Sequence, residues 1–161
     1  MAMGSKTAIR KFRGDDLEPL RRLIDDTIDG SYAPVYPSNA IAFFKEFHSE
    51  QNILERSQAG TVLVCEEAGE LTATGSVVDC EIFAVFVHPT LQHGGRGRAL
   101  MLELEDVARS DGFVAFDVSV SLPAKRFYES LGYEITDNVT RNLDGGERLD
   151  FWKATKSLAS E

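Results

Sequence analysis

The sequence predicts an α/β fold in a single domain, residues 1–161, with a mixed central sheet of about seven strands and about four flanking helices. Strand-like segments alternate along the chain with segments whose apolar residues recur at helical spacing. A length of 161 residues and a hydrophobic content of 43% also fit one globular domain. Residues 1–6 are expected to be flexible or a cloning remnant, and residues 157–161 are expected to form a tail.

The N-terminal half is predicted to contain three strands and two helices. An acidic cap at Asp15 and Asp16 begins the first helix, whose apolar side chains share one face through Ile28. The second helix runs from about Ser38 to Phe47, after a loop that contains two prolines. The polar stretch 49–59 has no clear pattern. Apolar or alternating runs predict strands over 7–12, 61–66 and 71–78.

The C-terminal half is predicted to contain four strands and two helices. The first strand is an unbroken apolar run, which is typical of the centre of a sheet. One helix covers 96–110, with Leu100 and Leu104 on its apolar stripe, and another covers 123–131 and ends at Gly132. The predicted strands are 81–87, 113–120, 133–136 and 149–154.

Composition narrows the classes of partner. Seventeen Lys and Arg against 26 Asp and Glu give a net charge of −9, which argues against nucleic acid as a partner. No apolar run approaches the roughly 18 residues that a membrane helix needs, so no membrane partner is expected. Two cysteines, Cys65 and Cys80, are too few for a disulfide framework and indicate reduced thiols and a cytoplasmic location. Three scattered histidines predict no metal site.

A glycine-rich turn is the strongest functional signal. Three glycines within residues 94–97 separate the apolar strand from the next helix. Glycines let a ligand approach the backbone, and the first turn of a helix adds unpaired N–H donors and the positive end of its dipole. Arg96 and Arg98 add positive charge at the same place. This arrangement predicts a cofactor that carries phosphate.

The spacing of these glycines excludes two common phosphate loops. No glycine is followed by the Lys-Ser or Lys-Thr pair of a P-loop. Gly95 and Gly97 fit the first half of a dinucleotide fingerprint, but Leu100 occupies the place of its last glycine.

The remaining pattern is Gln92-x-x-Gly95-x-Gly97, preceded by Val87-x-Pro89. It resembles motif A of the GCN5-related N-acetyltransferases, the GNAT superfamily. The segment 121–133, with its core Ala-x-x-Phe-Tyr-x-x-x-Gly-Tyr, is similar to motif B of that family. The resemblance implies a sheet that splays where the strands 81–87 and 113–120 part. His93 and Arg96 depart from the glycine and the aliphatic residue that many members carry.

The resemblance implies that acetyl-CoA binds in the gap of the splayed sheet. It implies a bulge in the strand that ends at Val87, which exposes backbone N–H donors to the acetyl carbonyl. Ser121 is implied to border the cofactor, and its alternative role is the N-cap of the following helix. The cofactor-binding residues implied are Phe86, Val87, Gln92, His93, Gly94, Gly95, Arg96, Gly97, Arg98, Ala99, Ser121, Ala124 and Tyr128.

Two residues are the predicted catalytic groups. Tyr128 matches the family tyrosine that approaches the sulfur of CoA, and its phenol suits a general acid. The alternative role for Tyr128 is aromatic packing beside Phe127. Glu81 begins the central strand, and desolvation there would raise its pKa and suit a general base. The alternative is that Glu81 only flanks the strand in solvent and that a chain of water molecules acts as the base.

The acceptor is expected to be a primary amine of a small molecule, bound opposite the cofactor by Tyr32, Tyr36 and Phe43, each of which also fits a core position. The acidic surface favours a cationic amine through steering. A polyamine, an amino acid, an aminoglycoside and a protein N-terminus all stay open. The alternative functions are a non-catalytic acyl-CoA-binding module and a protein N-terminal or lysine acetyltransferase. Members of the family are often homodimers, which leaves the oligomeric state open.

Overall fold

A computed structural model describes residues 7–157 and contains one seven-stranded mixed sheet. The strands are β1 (Thr7–Lys11), β2 (Thr61–Glu67), β3 (Glu70–Val78), β4 (Glu81–Val87), β5 (Ala115–Val120), β6 (Glu134–Asn142) and β7 (Arg148–Ser157). They lie in the order β1-β2-β3-β4-β5-β7-β6, and only the β4–β5 pair is parallel. The predicted α/β class and its strand number are confirmed.

The described residues form five α-helices, one more than the sequence pattern suggested. They are α1 (Leu17–Thr27), α2 (Ser38–Phe47), α3 (Glu50–Ala59), α4 (Arg96–Ser110) and α5 (Lys125–Ser130). The additional helix, α3, begins where the Ser49 hydroxyl accepts a hydrogen bond from the Asn52 amide. Only Ile53 and Arg56 of this helix are buried, so its sequence carries little helical periodicity.

Several predicted boundaries were wrong. The strand predicted over 133–136 continues to Asn142, because it pairs with β7 along its length. Most of β6 is exposed, so its polar residues hide its extent in the sequence. The helix predicted over 123–131 is shorter, since residues 122–124 form a 3-10 turn. The strand predicted over 113–120 begins at Ala115.

The ends of the chain are only partly described. β7 reaches Ser157, the first residue of the predicted tail, whereas 1–6 and 158–161 lie outside the described residues. Within residues 7–157, no helix has the length and apolar character needed to cross a membrane. The same residues contain no group of three His, Cys, Asp or Glu side chains arranged to hold a metal ion.

Helices pack on both faces of the sheet and bury two main clusters. On one face α4 contributes Leu100 and Leu104, both fully buried. On the other face α1 contributes Leu20 and Ile24 beside α3. Gly75 of β3 allows α4 to approach closely, because a Cβ atom there would lie 2.6 Å from Cδ1 of Leu104. The two layers of helices therefore fix the sheet from both sides.

The sheet splays at its centre. The parallel strands β4 and β5 pair only at Glu81 with Asp117 and at Ile82 with Val118. From Phe83 onward β4 has no ladder partner on β5, so its backbone groups face the gap. The predicted splay is confirmed, and it places a cleft between the two strands.

β4 also bulges beside this cleft. On the β3 side, Thr74 faces Phe86 and Ser76 faces Phe83, which leaves two residues of β4 opposite Gly75 alone. One of the two is Ala84, which has a φ of 57° in the left-handed region. A bulge of this kind bends the strand and redirects its backbone donors.

Candidate active site

The turn between β4 and α4 has two residues in the left-handed backbone region. Gly95, the N-cap of α4, has a φ of 89° and His93 has a φ of 68°. Glycine adopts this region at no steric cost, whereas His93 occupies it as a strained exception. Gly97 serves a different purpose, because a Cβ atom there would lie 3.0 Å from the ring of Phe127. The glycines therefore set the shape of the turn and the approach of α4 to α5.

The N-terminus of α4 points its amides at this turn. The first helical hydrogen bond runs from the Ala99 amide to the Gly95 carbonyl at 3.0 Å. The amides of residues 96–98 precede that bond and have no acceptor within the helix. The first turn of α4 contains no acidic residue. Free amides at the positive end of a 15-residue helix make a site for a phosphate group.

Two side chains hold the turn in place. Nε2 of Gln92 donates to the Val87 carbonyl and to the Ser31 hydroxyl, both at 3.0 Å. Arg96 forms two hydrogen bonds to the Glu67 carboxylate of β2, at 2.5 and 2.9 Å. The Arg96 guanidinium holds the pKa of Glu67 below its ordinary value. The charge of Arg96 is therefore used mainly to attach the start of α4 to β2.

A cavity of about 300 Å³ opens beside the turn, and we call it the glycine-turn cavity. Of the predicted cofactor residues, all line it except Gly94 and Ala99, which are exposed. Sequence reasoning missed six of its lining positions or assigned them elsewhere. Three come from α1 and the turn after it, which are remote in sequence, and three are immediate neighbours of predicted residues. The six are Thr27, Ser31, Tyr32, Val85, Pro123 and Phe127.

A second cavity, of about 290 Å³, also borders the bulged strand, and we call it the aromatic cavity. Aromatic side chains of α2, β4 and β7 form much of its wall, among them Phe43, Phe83 and Phe151. The two cavities meet in the gap of the sheet. The residues that line both are Tyr32, Val85, Phe86, Ser121, Ala124 and Tyr128.

Tyr128 lies where the cavities meet, with 5% of its surface exposed. Its ring packs edge-on against Phe127 and Tyr133, at centroid distances of 5.0 and 5.9 Å. The Tyr128 hydroxyl forms no hydrogen bond within residues 7–157. Every solvent-inaccessible polar side-chain atom in that range has a hydrogen-bond partner, so this hydroxyl is accessible from the cavities. Burial raises the pKa of Tyr128, so the phenol keeps its proton at neutral pH.

A buried histidine–arginine pair lines the aromatic cavity and was not predicted. Nη2 of Arg56 donates to Nδ1 of His48 and to the Phe47 carbonyl, both at 2.8 Å. Nδ1 of His48 is therefore an acceptor, and Nε2 carries the hydrogen. Burial, and then the charges of Arg56 and Arg21, lower the pKa of His48 to about 3. His48 is thus a neutral donor at the cavity wall.

The geometry agrees with comparison to known protein families. The model of the acetyltransferase (GNAT) domain matches residues 32–146, which is well over half of the chain. The chain belongs to the GNAT family. The family predicted from the two motifs is thereby confirmed, and the fold is confirmed by solved structures.

Three solved structures illustrate the likeness of this GNAT domain. A GCN5-related N-acetyltransferase from Rhodopseudomonas palustris is 22% identical, with a TM-score of 0.86, over 98% of this chain and 99% of that one. PaiA N-acetyltransferase from Thermoplasma acidophilum, in complex with coenzyme A, is 21% identical, with a TM-score of 0.76, over 94% and 99%. The yncA protein from Salmonella typhimurium, with its cofactor acetyl-CoA, is 21% identical, with a TM-score of 0.69, over 98% and 96%. Comparison with curated proteins gives no match.

Of the three residues predicted to bind the acceptor, two line the aromatic cavity and one does not. Tyr32 and Phe43 line the aromatic cavity. Tyr36 lines neither cavity, because its hydroxyl donates to the Asp150 carbonyl and accepts from the Leu122 amide, both at 2.9 Å. Burial raises the pKa of Tyr36 to about 12. This tyrosine ties its loop to β7 and belongs to the core.

Glu81 lines the aromatic cavity at the first residue of β4. Its side chain is exposed, so the desolvation that the sequence suggested for it is absent. Glu81 is the one carboxylate on the wall of that cavity within the described part of the chain. It therefore supplies the negative charge on this wall.

Proposed function

We propose that this GNAT domain is an acetyl-CoA-dependent N-acetyltransferase, which moves an acetyl group to the primary amine of a small molecule by direct attack in a ternary complex. The observation that carries the proposal is that two cavities of similar volume meet at Tyr128 and at the bulge of β4. A bisubstrate transfer needs two binding sites that converge on one reacting position. A module that only binds acyl-CoA needs one.

The glycine-turn cavity fits a pyrophosphate. The amides of residues 96–98 point at it, Gly95 supplies the left-handed turn, and exposed Arg98 adds a cation. Phe86, Val87 and Ala124 would border the pantetheine arm, with the Ser121 hydroxyl beside it. Acetyl-CoA supplies an activated acetyl thioester. The backbone donors freed at the bulge would stabilise charge on the carbonyl oxygen.

Two side chains complete the proposed chemistry. The Tyr128 hydroxyl holds its proton at neutral pH and would give it to the departing sulfur. Glu81 would accept a proton from the attacking amine, directly or through water, because it is the carboxylate on the acceptor side of the gap. General acid or base catalysis of this kind contributes about 10²- to 10⁴-fold to a rate.

The test measures thiol release from acetyl-CoA across a panel of amines, for the parent protein and for Tyr128→Phe. The Tyr128 hydroxyl has no partner within residues 7–157, so the substitution should leave stability nearly unchanged. We expect turnover to fall by about 10²-fold while acetyl-CoA binding stays the same. Glu81→Gln, an exposed conservative change, should lower the rate most at low pH, where the amine is mainly protonated.

The outcomes separate the candidate functions. Tight CoA binding without thiol release for any amine would favour the non-catalytic module. Release with a peptide N-terminus or lysine, and with no small amine, would favour a protein acetyltransferase. Equal turnover of Tyr128→Phe and the parent at every pH would remove Tyr128 from the mechanism.

A further inference from the structure

The charges on the wall of the aromatic cavity differ in sign from the charge of the whole chain. The chain carries a net charge of −9, yet this wall holds one carboxylate, Glu81, and two cations, Arg141 and Lys153. His48 adds no charge, because it is neutral. The cavity therefore has a local excess of positive charge within an acidic protein.

The two cations are not neutralised by the part of the protein that the structure describes. No Asp or Glu oxygen of residues 7–157 lies within 4.0 Å of a side-chain nitrogen of Arg141 or Lys153, whereas eight of the other 14 Lys and Arg residues in that range have such a partner. Asp137 is the cross-strand neighbour of Lys153, but it does not line the cavity. Arg141 and Lys153 lie four register positions apart on the β6–β7 hairpin and both line the cavity. Cations that have no carboxylate partner of their own suit an anionic group of a ligand.

The rest of the wall is apolar and aromatic. Phe83 and Phe151 line the cavity, and the Arg141 guanidinium lies 4.9 Å from the centroid of the Phe43 ring. Stacking on the ring holds the guanidinium against the wall while its N–H groups stay available. The cavity thus offers a carboxylate, an aromatic surface and two cations to one ligand.

We propose that the acceptor is an apolar, ring-sized amine that also carries an anionic group, with the anion held by Arg141 and Lys153. The inference rests on the proposed acetyltransferase function. The amine end lies toward Glu81 and Tyr128, and the anionic end lies toward β6 and β7, where Arg141 and Lys153 sit. A polyamine would place its additional positive charge against these two cations and is disfavoured by like-charge repulsion.

Four amines with a controlled charge pattern test the proposal. L-phenylalanine and 2-phenylethylamine share the 2-phenylethylamine skeleton and differ by an α-carboxylate. 4-(2-Aminoethyl)benzoate carries the carboxylate at the far end of the ring, and spermidine carries additional positive charge. We expect kcat/KM for 4-(2-aminoethyl)benzoate to exceed that of 2-phenylethylamine by about tenfold or more, because its carboxylate lies at the end of the molecule away from the amine. L-Phenylalanine, whose carboxylate lies beside the amine, should show no such gain, and spermidine should be the poorest acceptor.

Variants then assign the selectivity to the two cations. In Arg141→Met with Lys153→Met, the preference for 4-(2-aminoethyl)benzoate over 2-phenylethylamine should shrink to about threefold or less through a raised KM for the carboxylate. An unchanged urea midpoint and unchanged CoA affinity report an intact fold. Arg148→Met is the matched control, because Arg148 is an exposed cation of the same β-hairpin that lines neither cavity. Exposed Lys153→Glu should shift the preference toward spermidine.

The two possible failures are distinguishable. Thiol release with any of the other three amines at least as efficient as with 4-(2-aminoethyl)benzoate would overturn this inference and leave the acetyltransferase function standing. CoA binding without release for all four amines and for a wider panel would overturn the function and this inference with it. An unchanged preference in the double variant would also overturn the assignment to Arg141 and Lys153.

Discussion

The buried His48 predicts a measurable loss of stability in mild acid. Its imidazole lies against Phe86, accepts a hydrogen bond from Arg56 and is 5% exposed. Its pKa is lowered to about 3 by burial and by the charge of Arg56. In the unfolded chain the same side chain titrates at about 6.5. Between these two pKa values the histidine is protonated in the unfolded state and neutral in the folded state. The free energy of unfolding must therefore fall as pH falls.

The magnitude follows from the two pKa values. At pH 5.0 the unfolded histidine is almost fully protonated, while the folded one, with a pKa of about 3, is neutral. Linkage then costs about 2 kcal/mol between pH 7.5 and pH 5.0, and close to about 5 kcal/mol once both forms have titrated. Asp16 and Glu67 have lowered pKa values as well, because Arg10 and Arg96 hydrogen-bond to them. Their unfolded forms titrate mainly below about pH 4.5, so the window down to pH 5.0 isolates the histidine.

The assay is urea unfolding at pH 7.5 and pH 5.0, followed by the fluorescence of the one tryptophan, Trp152. His48→Gln keeps an acceptor for Arg56 and removes the titration, so its stability should change by less than about 0.5 kcal/mol over the same window. His93→Gln, at an exposed position, is the matched control and should behave as the parent does. The ring resonances of His48 should also stay in the neutral form down to about pH 4.

Two results would refute this reasoning. The first is a parent protein that loses less than about 0.5 kcal/mol between pH 7.5 and pH 5.0. The second is a His48→Gln variant that loses as much as the parent. Either result would mean that the imidazole is protonated in the folded state, which would add a third cation to the aromatic cavity.

Two further substitutions test the glycine turn. Gly97→Ala places a methyl group 3.0 Å from the Phe127 ring, so CoA affinity should fall about tenfold by titration calorimetry, with a stability change below about 2 kcal/mol. Gly14→Ala, whose Cβ meets nothing within 4 Å, should alter neither quantity, and equal CoA affinity of the two variants would contradict the packing argument. Arg96→Leu leaves the Glu67 carboxylate, which is 15% exposed, without its ion-pair partner. The free energy of unfolding, measured in urea, should fall by about 1–3 kcal/mol. An unchanged urea midpoint would contradict the role of Arg96 in holding the turn.

The cofactor side of the site could be predicted from the sequence because its requirements are local. A phosphate held by main-chain amides needs glycines, a left-handed turn and a helix start within a few residues. Gly95 and Gly97 meet those needs within one continuous segment, after an apolar strand. The continuous apolar run also predicted β4, and the regular stripe predicted α4. Local patterns therefore predicted the fold and drew attention to the turn beside which the glycine-turn cavity opens.

The acceptor side could not be predicted in the same way, because its residues meet only through the fold. Tyr32 and Tyr36 belong to one loop and look alike in the sequence, yet one lines both cavities and the other bonds to β7. The pair of His48 and Arg56 joins the end of one helix to the polar helix α3, which had no clear pattern. Arg141 lies beyond the predicted end of its strand. Each of these positions depends on contacts between segments distant in sequence.

This division gives total charge and local charge opposite expectations for the proposed acceptor. A net charge of −9 favours a cationic amine through steering, which acts over the whole surface. Selectivity depends on the groups that a bound ligand touches, and there Arg141 and Lys153 outnumber Glu81. Charges that touch a bound ligand act on it over a few ångströms, whereas surface charges a Debye length away are largely screened. The local pattern should therefore decide the preferred amine, and the acidic surface should affect only the rate at which amines arrive.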